Sequence, residues 1–491
     1  MIATAPVRYI LLALLLLLGG CASVRPELTT DPAANACLAL FEQADRLVAR
    51  AGVRDEGEAA VRGFPYLRVD RLHASFAGEI AAPARFAAWI HALGALDARA
   101  RSFERRNLSV EQRARLAPAA ELDACRATLI DIDRNDTTRR DLLRKRAVVA
   151  DDYLGGWRVA GLYPLAAVFV NRGIARWHRQ ARTVFATPLA QLARHGTVQR
   201  WSSGNGAVPD PARVRQLVDG ARDALDIPRP GAAAASELLE TFAPSWEIDV
   251  VDDNDRIGTP FRYPRVGVDT GRPVEYRLLS HMRHGERVLL QLDYVVWLPA
   301  RPGNDMYAGT LDGLIWRVTL GADGEVLLYD SIHSCGCYHQ YFPGPALALR
   351  DALPRHYFEA PLVPQAAPRQ PLVIRLSHAE HAIERVYHDD RAQPPRLLAT
   401  AAYALLRALP AEQGGGSLFG RHGIVPGTGR GERFVLWPMG IRSPGAMRQW
   451  GRHPVAFVGR RHFDDPWLLD TLFQGVTADA ANQEPLGPGR P

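Results

Sequence analysis

The chain of 491 residues carries 59 lysines and arginines against 53 acidic residues, a formal net charge of +6 at pH 7, and 47% of its residues are hydrophobic. These values are typical of a globular protein of two or three domains, and they exclude a bundle of membrane-spanning helices. Acidic residues are interspersed with the arginines, and no basic block contains interleaved aromatic residues, so we expect no nucleic-acid partner.

The first 21 residues have the pattern of an export signal. Arg8 precedes an apolar run from Ile10 to Leu18, and the run is followed by Gly19-Gly20-Cys21. A basic start, a short apolar stretch and small residues before the cleavage point are typical of secretory signals. Because this pattern ends on a cysteine, it resembles the lipobox of bacterial lipoproteins. The resemblance implies that Cys21 is lipidated and becomes the new N-terminus.

The same resemblance implies where the protein is located and that a membrane is its first partner. A lipoprotein of this kind is held in the membrane by its N-terminal lipid and faces the periplasm of a Gram-negative-type bacterium. Ala22-Ser23 follow the cysteine, where an Asp would resemble the signal for retention in the inner membrane, so we expect the outer membrane. Residues 22–35, which include Pro26 and Pro32, are expected to form a tether.

Setting Cys21 aside leaves four cysteines, namely Cys37, Cys125, Cys335 and Cys337. An even number in an oxidising compartment favours disulfide pairing. Cys37 and Cys125 each recur with apolar residues at helical spacing, so each side chain is expected to point from a helix face towards a core. We expect either a Cys37–Cys125 disulfide that joins two helices or two buried free thiols.

Residues 36–240 are predicted to form a mainly helical domain. Pro83 opens one helical pattern, since proline is favoured at the first position of a helix. The apolar stretch Val159–Val170 is flanked by Arg158 and Arg172, and it is too short to cross a bilayer. It is either a buried core helix or an interfacial segment that rests on a membrane.

Residues 245–378 are predicted to form a β-rich domain with one antiparallel sheet. Leu314–Leu320 and Glu325–Tyr329 flank Asp323-Gly324, and Asp-Gly between alternating apolar stretches indicates a hairpin. Alternation also predicts strands at Trp246–Val250, Val288–Leu298 and Leu372–Leu376.

Residues 379–475 are predicted to be a mixed α/β part. We expect helices at Ala379–Val386 and Pro395–Leu409, and strands at Phe434–Trp437 and Val455–Val458. Residues 476–491 are rich in Ala, Gly, Pro and Gln and are expected to be disordered. The predicted fold class is therefore α+β, with a helical N-terminal region, a mainly antiparallel β-rich central region and a mixed α/β C-terminal part.

The densest chemical pattern places His333, Cys335, Cys337 and His339 at every second position. These side chains are typical ligands of Zn or Cu. In a straight strand successive members lie about 6.5–7 Å apart, so they converge only if the chain turns back, as Gly336 would allow. Three interpretations stay open: a metal site with two or three of these ligands, a structural or redox-active Cys335–Cys337 disulfide, and packed residues without chemistry.

A second cluster contains His378, His381, Glu384 and His388. On the helix predicted there, the last three would share one face. The chain contains no H-E-x-x-H motif, so we expect a solvated helix start rather than a metal site.

Three functions remain open from the sequence. The first is an envelope enzyme with a metal centre built from the four candidate ligands, with Asp330 and Asp312 as general bases or as residues that orient the ligands. The second is a non-catalytic envelope lipoprotein whose arginine-rich surface and Val159–Val170 bind a partner or lipid. The third is thiol–disulfide exchange through Cys335-Gly336-Cys337.

Overall fold

The computed structural model describes residues 31–353, 359–390 and 394–475. Within them the chain has an α+β fold, with helices in the N-terminal part and sheets in the central and C-terminal parts. Cys21, most of the predicted tether and the predicted disordered tail lie outside the described residues.

The N-terminal helices surround one apolar core. They are α1 (Pro32–Ala51), α2 (Arg71–Ser75), α3 (Pro83–Asn107), α4 (Val110–Arg113), α5 (Ala119–Asn135) and α6 (Thr137–Arg146). The first helix begins after Asp31, whose side chain accepts the Ala33 N–H at 2.8 Å, and it ends at Gly52, which has a φ of 68°. An acidic N-cap and a left-handed glycine are the usual boundaries of a helix.

The predicted disulfide between helices is confirmed. Cys37 of α1 and Cys125 of α5 are bonded, with their Cα atoms 5.1 Å apart. Both residues belong to the apolar core of the helical part, together with Phe41 and Leu129. The helical spacing that predicted their inward orientation therefore identified the correct pair.

Four further helices pack against the sheets or lie beside them. They are α7 (Gly155–Ala160), α8 (Tyr163–Ala186), α9 (Pro211–Asp219) and α10 (Ala232–Thr241). Two short α-helices follow in the C-terminal part, α11 (Arg433–Leu436) and α12 (Leu468–Leu472). Phe185, Val214 and Leu238 enter the core of the sheets.

The strands form two main sheets. In chain order they are β1 (Ala59–Ala60), β2 (Arg68–Val69), β3 (Thr197–Ser202), β4 (Ser245–Val250), β5 (Thr259–Phe261), β6 (Gly267–Asp269), β7 (Val274–His284), β8 (Arg287–Arg301), β9 (Gly309–Leu320), β10 (Val326–His333), β11 (Gln340–Pro343), β12 (Leu347–Leu349), β13 (Leu372–Leu376), β14 (Ile383–His388), β15 (Arg396–Leu397), β16 (Ala399–Ala402) and β17 (Phe473–Gly475).

The larger sheet has six strands in the order β11-β10-β9-β8-β7-β16, and the smaller has five in the order β14-β13-β4-β3-β15. Most neighbours are antiparallel, but β13 pairs with β4, β15 with β3 and β16 with β7 in parallel. The predicted strands of this region and the hairpin between β9 and β10 are confirmed. The expectation of a single sheet is wrong, because β3, β4, β13, β14 and β15 form a separate layer.

The two faces of the larger sheet are covered differently. Leu292, Val296 and Trp316 pack against Trp246 and Ile374 of the smaller sheet in one core. On the opposite face, Val295 and Ile315 pack against the C-terminal part, including Tyr403, Met447 and Phe463. Alternate side chains of each strand therefore belong to different cores, as the pleat requires.

Four local predictions in the C-terminal part are wrong. Ala379–Val386 is a turn followed by β14, and Pro395–Leu409 contains β15, β16 and a 3₁₀-helix at Tyr403–Arg407. Phe434–Trp437 is helical, and Val455–Val458 is not a strand. The conformation of a short apolar segment depends on the element against which it packs. Here pairing with β13 imposes an extended conformation on residues 383–388.

The remaining 3₁₀-helices are Leu189–Gln191, Asp253–Asp255, Ala411–Gln413, Arg421–Gly423 and Trp437–Met439. Across the parts of the chain that the structure describes, no helix has both the length and the apolar character required to cross a membrane.

Candidate functional site

The structure places the two candidate histidine ligands on opposite faces of the larger sheet. His333 Nδ1 lies 3.3 Å from Asp312 Oδ1, on the side of the smaller sheet. His339 Nε2 lies 2.8 Å from Asp330 Oδ2, on the side of the C-terminal part. Because β10 and β11 form a hairpin in which Asp330 pairs with Tyr341, His339 shares the face of Asp330 rather than that of His333.

The two candidate cysteine ligands lie in the turn between these strands as free thiols. The Cys337 N–H points at Cys335 Sγ, 3.3 Å away. The hydrogen bond with Cys335, together with burial, raises the pKa of Cys337 well above its usual range. Within residues 31–353, 359–390 and 394–475, no three His, Cys, Asp or Glu side chains are placed to hold a metal ion. The four candidate ligands therefore do not form one site in this fold.

Asp312 and Asp330, the two carboxylates predicted as general bases or as residues that orient the ligands, are completely buried in ion pairs. Asp330 binds both Arg317, with Nε at 2.8 Å, and His339. Burial alone would raise the pKa of Asp330, but attraction to Arg317 and hydrogen bonds from His339 and Arg317 lower it. Burial is likewise outweighed at Asp312, where His333, His381 and Arg430 lower the pKa well below its usual range.

The second predicted cluster is arranged around a buried histidine rather than along a helix. His381 is fully buried between Asp312, with Nδ1 at 2.9 Å, and Asp255, with Nε2 at 3.4 Å. Burial lowers the pKa of His381, but these two carboxylates raise it overall. Glu384 and His388 belong to β14, so no helix face joins them to His381.

A cavity of about 490 Å³ lies where the helical part meets the larger sheet. Strand β16 pairs with β7 only as far as Arg277, and the cavity adjoins β7 at residues 277–281, where that pairing ends. Residues 69–73 of the helical part and 449–452 of the C-terminal part form other walls. Clefts between separately packed parts of a fold are common ligand sites.

One wall of this cavity presents His73 from α2. The Nδ1 atom of His73 lies 2.7 Å from Asp70 Oδ1, and the His73 side chain is 4% exposed. Because an ionised carboxylate only accepts hydrogen bonds, Nδ1 is the donor in this pair. Nε2 is buried and has no hydrogen-bond partner in the described part of the chain. An imidazole held in this way has the arrangement of a general base.

Local structure holds the Asp70–His73 pair in position. Asp70 is the N-cap of α2, and its side chain also accepts the backbone N–H of His73 at 2.7 Å. The carbonyl of His73 accepts the Trp89 indole N–H at 2.8 Å. Burial would raise the pKa of Asp70, but attraction to His73 and the hydrogen bonds from His73 lower it well below its usual range. The carboxylate therefore stays ionised beside the ring.

A second wall comes from β7 and β8. His281 Nε2 donates to the carbonyl of Pro228 at 2.8 Å. Burial, aided by the charge of Arg229, lowers the pKa of His281 to about 4. His281 is therefore neutral near pH 7, with its Nδ1 lone pair unprotonated. Ser280 and Gln291, which hydrogen-bond at 3.1 Å, complete this wall.

A carboxyl with a raised pKa lies next to this wall. Asp293 follows Gln291 by two residues on β8, so both side chains lie on one face of the sheet. Asp293 is fully buried, and burial raises its pKa to about 7 despite the attraction of Arg317. Buried groups that titrate near neutral pH are common at catalytic sites.

The cavity wall is rich in arginine, but each arginine is paired. Arg71 binds Asp152 and Asp464, and Arg407 binds Asp55 and Glu58. Pairs of the same kind involve the remaining arginines of the lining, Arg99, Arg229, Arg277 and Arg452. The cavity therefore offers many N–H donors without a large net positive charge.

None of the predictions from the sequence concerned this site. One local signal exists, because Asp70 and His73 stand three residues apart at the start of a short helix, a spacing that lets an N-cap carboxylate reach the third helical residue. His281 and Asp293 carry no such signal, since each belongs to a strand that alternates like any other.

In comparisons with known proteins, the chain matched no family model, no curated protein and no solved structure.

Proposed function

We propose that the chain is a hydrolase that cleaves an ester or amide bond in a small polar substrate bound in the 490 Å³ cavity. The observation that carries the proposal is the buried, unpartnered Nε2 of His73, whose ring is oriented by Asp70. In the proposed reaction His73 Nε2 takes a proton from water, the hydroxide attacks the carbonyl carbon, and the same proton passes to the leaving group.

The arginines of the cavity wall support an uncharged polar substrate over a polyanion. Each of them is already paired with a carboxylate, so a phosphate would find little uncompensated positive charge. N–H groups of paired guanidinium ions still stabilise an oxyanion as it forms. His281 is a candidate for moving a proton on the opposite wall.

The test is hydrolysis of p-nitrophenyl esters and anilides by the full chain, with p-nitrophenyl phosphate for comparison. We expect hydrolysis of the acyl substrates, and we expect His73→Gln to lower kcat/KM about 10²- to 10⁴-fold. The matched control is His284→Gln, because His284 also contacts an aspartate, Asp470, but lies outside the cavity wall. Full activity in the His73→Gln variant, or cleavage of the phosphate alone, would contradict the proposal.

We also propose, from the resemblance at residues 1–21, that Cys21 is lipidated and that the enzyme faces the periplasm from the outer membrane. Mass spectrometry of the N-terminal peptide from the native host would detect the acyl chains, and Cys21→Ser would remove them.

The Zn or Cu centre and the thiol–disulfide activity remain predictions from the sequence. The opposite faces of His333 and His339, and the raised pKa of Cys337, give them no support. Metal content and free thiols measured together on the purified chain would test both.

A further inference from the structure

The first half of α8 leaves a row of large apolar side chains uncovered. Leu162, Leu165, Val168 and Phe169 are between 51% and 69% exposed, and Val159 just before them is 79% exposed. Tyr163, Ala166, Ala167 and Val170 on the other side of the helix pack against Met439 and Val458. The sequence left open whether this stretch is a buried core helix or an interfacial segment, and the structure buries only one of its two faces.

A second apolar segment lies directly beside this helix. The N–H of Leu154 donates to the carbonyl of Gly440 at 2.7 Å, and Arg158 Nε donates to that of Met439 at 2.8 Å. Residues 433–439 are thereby held against α7 and α8. Phe434 and Val435 in this segment are 70% and 62% exposed. The first half of α8 and residues 433–439 thus expose aromatic and aliphatic side chains next to each other, and we call this place the junction.

The charge around this junction is strongly one-sided. Residues 153–209 contain seven arginines and no Asp or Glu. Arg172, Arg176, Arg179 and Arg182 of α8 are exposed, and among the described residues none of them forms an ion pair with a carboxylate. Leu162, Leu165, Phe169, Arg172 and Arg176 follow one another at spacings of three and four, so they form one stripe along the helix.

From these observations we infer that the exposed face of α8 and the adjoining Phe434–Val435 segment form a binding surface for an anionic lipid bilayer. The helix is ~36 Å long, apolar in its first half and basic in its second. A basic amphipathic helix of this kind lies in the membrane interface with its apolar side chains among the acyl chains and its arginines at the head groups. The described chain thus has a membrane contact of its own, independent of Cys21 and of the proposed hydrolase activity.

The charge pattern argues against a second copy of the chain as the occupant. A two-fold symmetric contact through this stripe would bring two sets of four unpaired arginines together, and like charges across an interface disfavour association. Anionic head groups instead provide the complementary charge.

The test places an environment-sensitive fluorophore on the full chain at Phe169→Cys and, as the control, at Val110→Cys. Val110 is 77% exposed on α4, in the helical part rather than at this junction. The unsubstituted chain, treated with the same reagent, corrects for labelling of Cys335 and Cys337. The label on Phe169→Cys should shift to the blue with vesicles of phosphatidylethanolamine and phosphatidylglycerol, and much less with phosphatidylcholine alone. The label on Val110→Cys should not shift.

Adding Arg172→Gln and Arg176→Gln to the Phe169→Cys variant tests the electrostatic contribution. Each arginine near an anionic surface contributes about five-fold to partitioning, so the blue-shifted fraction at limiting lipid should fall strongly, as it should in high salt. No shift at Phe169→Cys, an equal shift at Val110→Cys, or an unchanged response after the arginine substitutions would each overturn the inference. A shift that grows with protein concentration without vesicles would overturn it in favour of a protein interface.

Discussion

At the scale of single residues, the fold keeps several histidines neutral by burying them. Burial lowers the pKa of His178, His281 and His339 to about 4, and that of His453 to about 3. In the unfolded chain each ring would titrate near pH 6.5. Between these values the unfolded chain binds more protons than the folded one, so stability is lost as the pH falls from about 6.5 towards 4.

Replacement of one such ring should weaken this pH dependence. We predict that the free energy of unfolding of the wild-type chain falls between pH 6.5 and 4.5, and that His281→Gln reduces the slope by up to about 1.4 kcal/mol per pH unit, the effect of one proton. Urea denaturation at a series of pH values measures the slope. His91→Gln, at an exposed position of α3, is the control, and an identical slope in the His281→Gln variant would contradict the prediction.

At the scale of elements, buried ion pairs and one disulfide join the N-terminal helices. Asp97 of α3 is fully buried. It accepts from Arg101 of the same helix at 2.8 Å and from Arg126 of α5 at 2.9 Å, and Arg68 of β2 lies 3.4 Å away. One carboxylate thus compensates guanidinium groups from three elements. Without it Arg68 would keep Glu104, Arg101 would keep Asp45 and Arg126 would keep Asp123 as carboxylate partners, but the carboxylate that all three share would be lost.

We predict that Asp97→Asn lowers the free energy of unfolding by about 3–5 kcal/mol, because it removes the buried carboxylate that three buried arginines share. Asp123→Asn is the matched control, since Asp123 also pairs with Arg126 but its side chain is 61% exposed. Exposed pairs contribute about 0–1 kcal/mol. Chemical denaturation of both variants measures how much free energy of unfolding each one loses. Equal losses would show that the burial of Asp97 is not the cause.

At the scale of the whole molecule, the helical part is tied to the C-terminal part through buried charges at the cavity. Arg407 binds Asp55 with Nη2 at 2.6 Å and Nε at 2.9 Å, and it binds Glu58 with Nη1 at 3.1 Å. All three residues are less than 10% exposed. The walls of the cavity are therefore held together by contacts between segments about 350 residues apart in the chain.

Arg407→Met should separate these parts, because it leaves Asp55 and Glu58 buried without their main cation. We expect a loss of about 3–5 kcal/mol at this interface, seen as faster hydrogen exchange in residues 53–60 and 403–409 and as two calorimetric transitions. Arg213→Met, which removes the exposed pair with Glu237, should leave both measurements unchanged. If the Arg407→Met variant unfolds in a single transition, Arg407 does not hold the two parts together.

The predictions that held depend on local periodicity. The strands β8 and β13, the hairpin between β9 and β10, and the inward orientation of Cys37 and Cys125 each follow from spacing within a dozen residues, which backbone geometry determines directly. The predictions at 379–386 and 434–437 failed because short apolar runs have no intrinsic preference strong enough to oppose their neighbours. Pairing with β13 gives residues 383–388 an extended conformation instead of the predicted helix. The second lies beside α7 and α8, where no strand pairs with it in the described residues.

The sequence by itself determined the fold class, the main strands and the inward orientation of Cys37 and Cys125, since a helical or strand period acts over neighbouring residues. Only the tertiary structure decided which titratable and potentially metal-binding side chains lie close together. The even spacing of His333 and His339 predicted that both lie on one face of a strand. The turn between β10 and β11 instead places them on opposite faces of the larger sheet. The cavity with His73 and His281 was equally hidden, because its walls come from segments whose contact depends on how the helical part docks on the sheet edge.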